Sequence, residues 1–303
     1  MPGDDDGAAA AEQLGVKAPP FEWHRPATLA EAVASLAAVA PQDGRVLAGG
    51  QSLLPAMALR VARPPHLVDI NGIAELGELR VEDNALRIGA LVRHAAFHRP
   101  VAHGPLGALM AGVVRHIAHW PIRTRGSFGG SLCHADPASE WPLVAVVLGA
   151  TMQAVSLRGD RLIDGPAFLR GPLETALAPD EILRAVTLPL LPADAHWGFE
   201  EVARRAGDFA QAMALVVLRM DAIGRVAEAR IGIGGVEAVP RRLAAVEALV
   251  NGRLPSATLV EEAGRAAAAA CDPMEDAPYR RALVRAVVSR ALASAAMPQA
   301  LAA

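Results

Sequence analysis

The chain has 303 residues, a formal net charge of −3 and an apolar fraction of 52%, much of it alanine. That length suits one large or two modest domains, and the composition provides for an ordinary core. The charge balance excludes a phosphate-backbone binder, which shows a strongly basic face. Two distant cysteines, Cys133 and Cys271, exclude an iron–sulfur cluster or structural zinc built from this chain alone.

Residues 1–18 are Asp/Ala-rich and are expected to be a flexible terminus without the apolar stretch of a signal peptide. No apolar run approaches the roughly 20 residues that span a bilayer, so a cytoplasmic chain without a transmembrane segment is expected. A short strand is predicted at 21–26. Thr28 followed by Glu31 has the form of a capping box opening a helix over 29–39. A strand at 45–48 runs into Gly49-Gly50, and 52–59 reads as a helical turn. A strand at 66–70 ends at the Asn71-Gly72 turn, and 79–81 with 85–91 forms a hairpin. Helices are predicted at 93–99 and 106–117, a glycine loop at 126–130, and a helix over 139–148. Strands follow at 151–157 and 181–188, with a turn at 158–160. Residues 190–195 are the best internal boundary. Beyond it, strands at 197–204, 210–221 and 227–233 suggest an antiparallel sheet, covered by helices at 241–251, 256–270 and 279–296.

Two segments carry a phosphate-binding pattern. In Ala48-Gly49-Gly50-Gln51-Ser52-Leu53 a strand meets two glycines, a hydroxyl and a helix start. Glycines let backbone N–H groups approach a phosphate closely, and a helix N-terminus adds free donors. For Gly-Gly alone a tight turn without a ligand is the commoner explanation. Gly126-Ser127-Phe128-Gly129-Gly130-Ser131 repeats the logic, and a pyrophosphate has two phosphates to neutralise. Neither segment has the Gly-Lys-Ser/Thr ending of a P-loop or a Rossmann fingerprint. In His134–Glu140, Asp136-Pro137 suits a helix start and Glu140 its first turn, where a carboxylate can also accept from sugar hydroxyls. His116 and His119 lack further zinc ligands. Cys133 reads as a packed thiol.

At these loops the sequence resembles the FAD-binding medium subunit of the molybdenum hydroxylases, a family that includes carbon monoxide dehydrogenase medium subunits and the xanthine dehydrogenase flavin domain. The match is carried by residues 48–55, 122–132 and 135–140, then by Glu201-Val202-Ala203-Arg204-Arg205-Ala206-Gly207-Asp208-Phe209-Ala210 and Tyr279-Arg280-Arg281. It extends over residues 20–296. The resemblance implies an α+β fold: a two-lobed α/β FAD-binding domain over 19–192, with lobes meeting near 72–78, then a C-terminal domain over 193–303 of a small antiparallel sheet with helices. It also implies FAD contacts. Ala48, Gly49, Gly50, Gln51, Ser52 and Leu53, with Ser127, Phe128, Gly129, Gly130 and Ser131, would hold the pyrophosphate. Ile117 would line the cleft, Asp136 and Glu140 would take the acidic segment that binds flavin hydroxyls, and Leu183 and Phe209 would approach the isoalloxazine. No catalytic or metal-ligating residue is assigned to this chain.

The sequence departs from the family where Ser127-Phe128 replaces a frequent Thr-Ile and where Trp120-Pro121 precedes Ile122; Ser127 keeps the hydroxyl. The iron–sulfur insertion of the hydroxybenzoyl-CoA reductases is absent. The implied role is electron transfer inside a larger hydroxylase. A large subunit would carry the molybdenum cofactor and a small subunit the [2Fe-2S] clusters, assembled as a dimer of heterotrimers. FAD here would pass electrons to an external acceptor, and the substrate would be chosen by the large subunit. Two rivals remain at this point: a stand-alone flavin oxidoreductase, and a non-redox nucleotide-binding or assembly protein.

Overall fold

Thr28 starts the first helix as its neighbours dictate. Its hydroxyl accepts from Glu31 N–H at 3.2 Å, while Glu31 Oε2 accepts from Thr28 N–H at 3.3 Å and Ala27 N–H at 2.7 Å. Helix α1, Leu29–Val39, buries Leu29, Ala32, Val33, Leu36 and Val39. Thr28→Ala removes one side of this box and should destabilise the chain by about 1 kcal/mol, read from the urea midpoint at unchanged m-value.

The computed structural model describes residues 18–296; the flexible terminus expected at 1–18 falls almost wholly outside them. Strands β1 (Glu22–His24), β2 (Arg45–Leu47) and β3 (His66–Asp69) form a parallel sheet in the order β1-β3-β2. Helix α2, Leu53–Ala58, follows the first glycine pair. A second, antiparallel sheet has the order β4-β5-β10-β6-β7. Its strands are β4 (Leu79–Glu82), β5 (Ala85–Gly89), β6 (Thr151–Ser156), β7 (Gly159–Asp164) and β10 (Ile182–Pro189). A small hairpin, β8 (Leu169–Gly171) with β9 (Glu174–Thr175), follows the short helix α7, Gly165–Phe168.

Between the sheet strands lie α3 (Pro105–Val113), α4 (Trp120–Arg125), α5 (Phe128–His134) and α6 (Glu140–Leu148). The third sheet is antiparallel, β11-β12-β13-β14, spanning Ala195–Ala203, Ala210–Met220, Val226–Gly234 and Arg241–Arg242. One face packs on α6 and the other on α8 (Ala244–Val250) and α10 (Ala277–Ala296), with α9 (Ala257–Ala270) outside α10. The α+β architecture expected from the sequence is the one observed.

Several local expectations give way. The helix over 93–99 is a 3-10 turn, His94–His98. The helix over 106–117 ends at Val113, because the Arg123 guanidinium takes the carbonyls of Arg115, Ile117 and Ala118 and the chain turns left-handed at Ala118, φ 41°. The glycine loop at 126–130 is mostly the start of α5. The turn expected at 158–160 is present but sits at 157–158, with β7 starting at Gly159, and Arg241-Arg242 pair with β13 before α8 begins.

Candidate flavin site

The carboxyl ends of β2 and β3 carry the first glycine turn, the side of a parallel sheet where ligands bind. Gly50 is left-handed, φ 73°. Gln51 Nε2 donates to Gly49 O at 3.0 Å, and Leu54 N–H donates to Gly50 O at 3.1 Å. Among the described residues, no acceptor meets the backbone N–H groups of Gly49, Gly50, Gln51, Ser52 and Leu53. Among the described residues, five successive backbone donors are thus left without protein partners, the condition an anion with several oxygens needs.

The second turn is bound into the protein differently. Ser127 caps α5, its hydroxyl accepting from Gly130 N–H at 3.2 Å. Phe128 N–H donates to Val92 O at 2.8 Å, Gly129 N–H to Ala90 O at 3.1 Å, and Ser131 N–H to Ser127 O at 3.0 Å. A Cβ on Gly129 would lie 2.7 Å from Ala90 Cα. These glycines therefore allow α5 to sit directly on the chain leaving β5. The Phe128 ring is fully buried, with centroids 5.6 Å from Phe97 and 5.1 Å from Trp141. Ser131 is partly exposed, and a Cβ on Gly130 would lie 4.0 Å from Ala48 Cβ of the first turn.

The two turns touch. A Cβ built on Gly49 would lie 2.4 Å from Arg125 O and 2.8 Å from Gly126 Cα. Asn71, expected only as a turn residue, and Arg93, expected in a helix, hold this contact in place. Asn71 Nδ2 donates to Ala48 O at 2.7 Å and to Asp69 Oδ1 at 2.6 Å. Arg93 donates to Asn71 Oδ1 at 2.6 Å and to Arg125 O. The end of β3, the first turn and the approach to the second are thus one hydrogen-bonded clamp. His94 lies beneath it. Its N–H donates to Gly126 O at 3.0 Å and its Nδ1 accepts from Trp141 Nε1 at 3.0 Å. Burial lowers the His94 pKa to about 4, so the ring is neutral near pH 7.

Ile117 is nearly buried, its carbonyl held by Arg123. His116 stacks edge-on against Phe199 at 4.9 Å, and the His119 ring lies against Gly207. The two histidines are wall residues on separate contacts. Asp136 Oδ1 accepts from Ala138 N–H at 2.8 Å, turning the chain into α6. Glu140, the first residue of that helix, is buried. Opposite it is Glu201 on β11, whose Oε2 is buried without a hydrogen-bond partner. Desolvation pushes Glu140 up to about 7, with Arg123 opposing the rise and Asp136 adding to it. Desolvation and the Glu140 charge push Glu201 up to about 8. Glu201 opens the matching segment 201–210, and its burial has no local signal in the sequence. Leu183 is a core residue at the bulge in β10, and Phe209 stands exposed before β12. Cys133 is exposed as a residue, yet burial of its sulfur pushes the thiol up to about 12, as for a packed thiol; Cys271 is buried as a residue.

Residues 19–191 match a family described as "FAD binding domain in molybdopterin dehydrogenase", and 197–295 match "CO dehydrogenase flavoprotein C-terminal domain". The chain belongs to the FAD-binding medium subunits of the molybdenum hydroxylase family. It is similar to the nicotine 6-hydroxylase medium subunit of Paenarthrobacter nicotinovorans, at 37% identity over 92% of this chain and 99% of that one. It is similar also to the caffeine dehydrogenase subunit beta of Pseudomonas sp. (strain CBB1), at 38% identity over 91% and 95%. Among solved structures, carbon monoxide dehydrogenase from Hydrogenophaga pseudoflava superposes with a TM-score of 0.88 at 35% identity, over 92% of this chain and 98% of that one. A medium subunit of this family binds FAD and works within an oxidoreductase. No helix among the described residues is long and apolar enough to cross a membrane.

Proposed function

We propose that this medium subunit holds FAD with its pyrophosphate on the 48–53 turn, and that it relays electrons within a complex. Five consecutive backbone donors without acceptors carry the reading, because the two phosphates of FAD offer the matching array of oxygens. Ser131 and the contact of the second turn complete that seat. Glu140 and the unpaired Glu201 oxygen are acceptors suited to the ribose and ribityl hydroxyls. Ile117 and the exposed Phe209 would flank the ring system, while Leu183 would support it from the core. FAD supplies the redox chemistry when bound; the residues of this chain bind it, orient it and keep its surroundings dry.

In this reading, electrons released at a molybdenum cofactor on a large partner reach the chain through [2Fe-2S] clusters on a small partner, and leave to an external acceptor. The partners form a dimer of heterotrimers in the cytoplasm. The domains divide near residues 190–195, and the flavin domain divides again near 72–78. Purification of the complex from its source should yield three chain types, with molybdenum, iron and FAD in fixed proportion. The isolated chain should be yellow and should not turn over substrate. Turnover by the isolated chain would establish a self-contained flavin enzyme, and a colourless chain that takes up no FAD would remove the redox role.

A further inference from the structure

The parallel sheet carries a second group of donors, at the end away from the glycine turn. The ladder pairs Glu22 with His66 and His24 with Val68. Glu22 and His24 are two apart on β1 and so share a face, with His66 beside Glu22 on β3. His24 Nε2 lies 3.2 Å from His66 Nδ1. Glu22 Oε2 is 3.5 Å from His66 Nδ1, and Glu22 Oε1 is 3.8 Å from His24 Nε2. Ligand atoms about 2.0–2.2 Å from a tetrahedral zinc ion stand about 3.3–3.5 Å from one another. The three observed separations, the two to Glu22 being to its different oxygens, run from 3.2 to 3.8 Å around that spacing.

The outer partner of His66 fits as well. His66 Nε2 lies 3.3 Å from Gln42 Oε1, an acceptor, so Nε2 carries the proton and Nδ1 presents its lone pair to the centre. Without a metal that lone pair accepts from His24 Nε2–H; a cation would take the place of this proton. The imidazoles are held by the sheet, with side chains 23% and 15% exposed, while Glu22 at 66% is free to swing onto an ion. Two imidazoles and one carboxylate favour zinc-class ions over magnesium or calcium, which prefer oxygen donors alone.

We propose that Glu22, His24 and His66 bind one divalent transition-metal ion of the zinc class, with water in the fourth position, and that the ion staples β1 to β3. Strand β1 has only three residues and two of them are exposed, so a bond across the ladder adds a hold that its own packing lacks. The glycine turn starts beyond Leu47, which pairs with Asp69, three residues past His66. The ion would therefore act on the sheet and not on the nucleotide.

The test is calorimetric titration of the chelator-treated full-length chain with zinc chloride near neutral pH, with Tm measured alongside. One ion per chain is expected at micromolar affinity or tighter, with a rise in Tm. His24→Ala and His66→Ala should each weaken binding at least about tenfold, and the double variant should lose both the one-ion step and the Tm rise. Glu22→Gln changes only an exposed side chain and should weaken binding in a folded protein. No uptake by the native chain would overturn the site. So would undiminished one-ion uptake by the double variant or by Glu22→Gln.

Discussion

Gly49→Val is expected to abolish flavin retention while leaving a folded chain. The new Cβ would meet Arg125 O at 2.4 Å and Gly126 Cα at 2.8 Å, and these are backbone atoms that cannot rotate aside. The two turns must then separate, at a cost of about 1–3 kcal/mol for the overpacking alone. A displacement of about 1 Å stretches an N–H···O contact beyond bonding range. Hydrogen bonds to charged groups contribute about 1.5–3 kcal/mol each, so losing two of them weakens FAD by at least about 100-fold. The measurement is the flavin-to-protein absorbance ratio after gel filtration, with circular dichroism as the folding control. Gly77→Ala should keep its flavin, since nothing lies within 4 Å of a Cβ there. A yellow Gly49→Val protein would mean the 48–53 turn is not the pyrophosphate seat. Gly129→Val is a poorer probe, because it drives α5 away from Ala90 and disturbs the fold directly.

The apo chain should lose stability as pH rises from about 6 to about 8.5, and Glu201→Gln should remove most of that loss. Burial raises both carboxyls from an ordinary 4.5, Glu140 to about 7 and Glu201, with the Glu140 charge adding to the rise, to about 8. A group with a raised folded pKa binds more protons folded than unfolded. Its stabilisation is fully present below the unfolded pKa and fades as pH climbs through the folded one. One pKa unit corresponds to about 1.4 kcal/mol; because the two neighbouring carboxyls titrate as a coupled pair, the fall across this window is on the order of 2 kcal/mol. Urea unfolding of flavin-free protein at the two pH values reads it out. A native chain that gains stability toward alkaline pH would contradict the buried pair. Glutamine keeps the shape without the charge, so Glu201→Gln should be the more stable protein at the alkaline end and should bind FAD more weakly.

The parts of this molecule that were legible in the sequence are those fixed locally. Thr28 and Glu31 determine α1 between them, and Val284, Val287, Val288 and Ala291 of α10 recur at the spacing of one helix face. The second glycine pair was misread as a loop because glycine within a helix costs about 1 kcal/mol relative to alanine. Here the backbone of Ala90 requires that absence of a side chain, and the Ser127 cap starts the helix regardless. Arg93 and Asn71 looked like an ordinary surface charge and a turn residue. Their roles follow from meeting across 22 positions of sequence. Glu201 follows Glu200 on β11, and no local pattern indicates that its carboxylate is buried beside Glu140. Glu22, His24 and His66 were separated in the same way, joined by a parallel register that no short-range pattern encodes.

Strand β12 sends Met213, Leu215 and Val217 into the core around α6, and Ala212, Ala214, Val216 and Leu218 into the core beneath α10. A ribosome delivers that strand only after two thirds of the chain has emerged. Until then the flavin-binding half lacks one wall, so it should stay sensitive to protease on stalled chains and close only when the last third arrives. In calorimetry, the two regions that match separate family descriptions should accordingly melt in one transition.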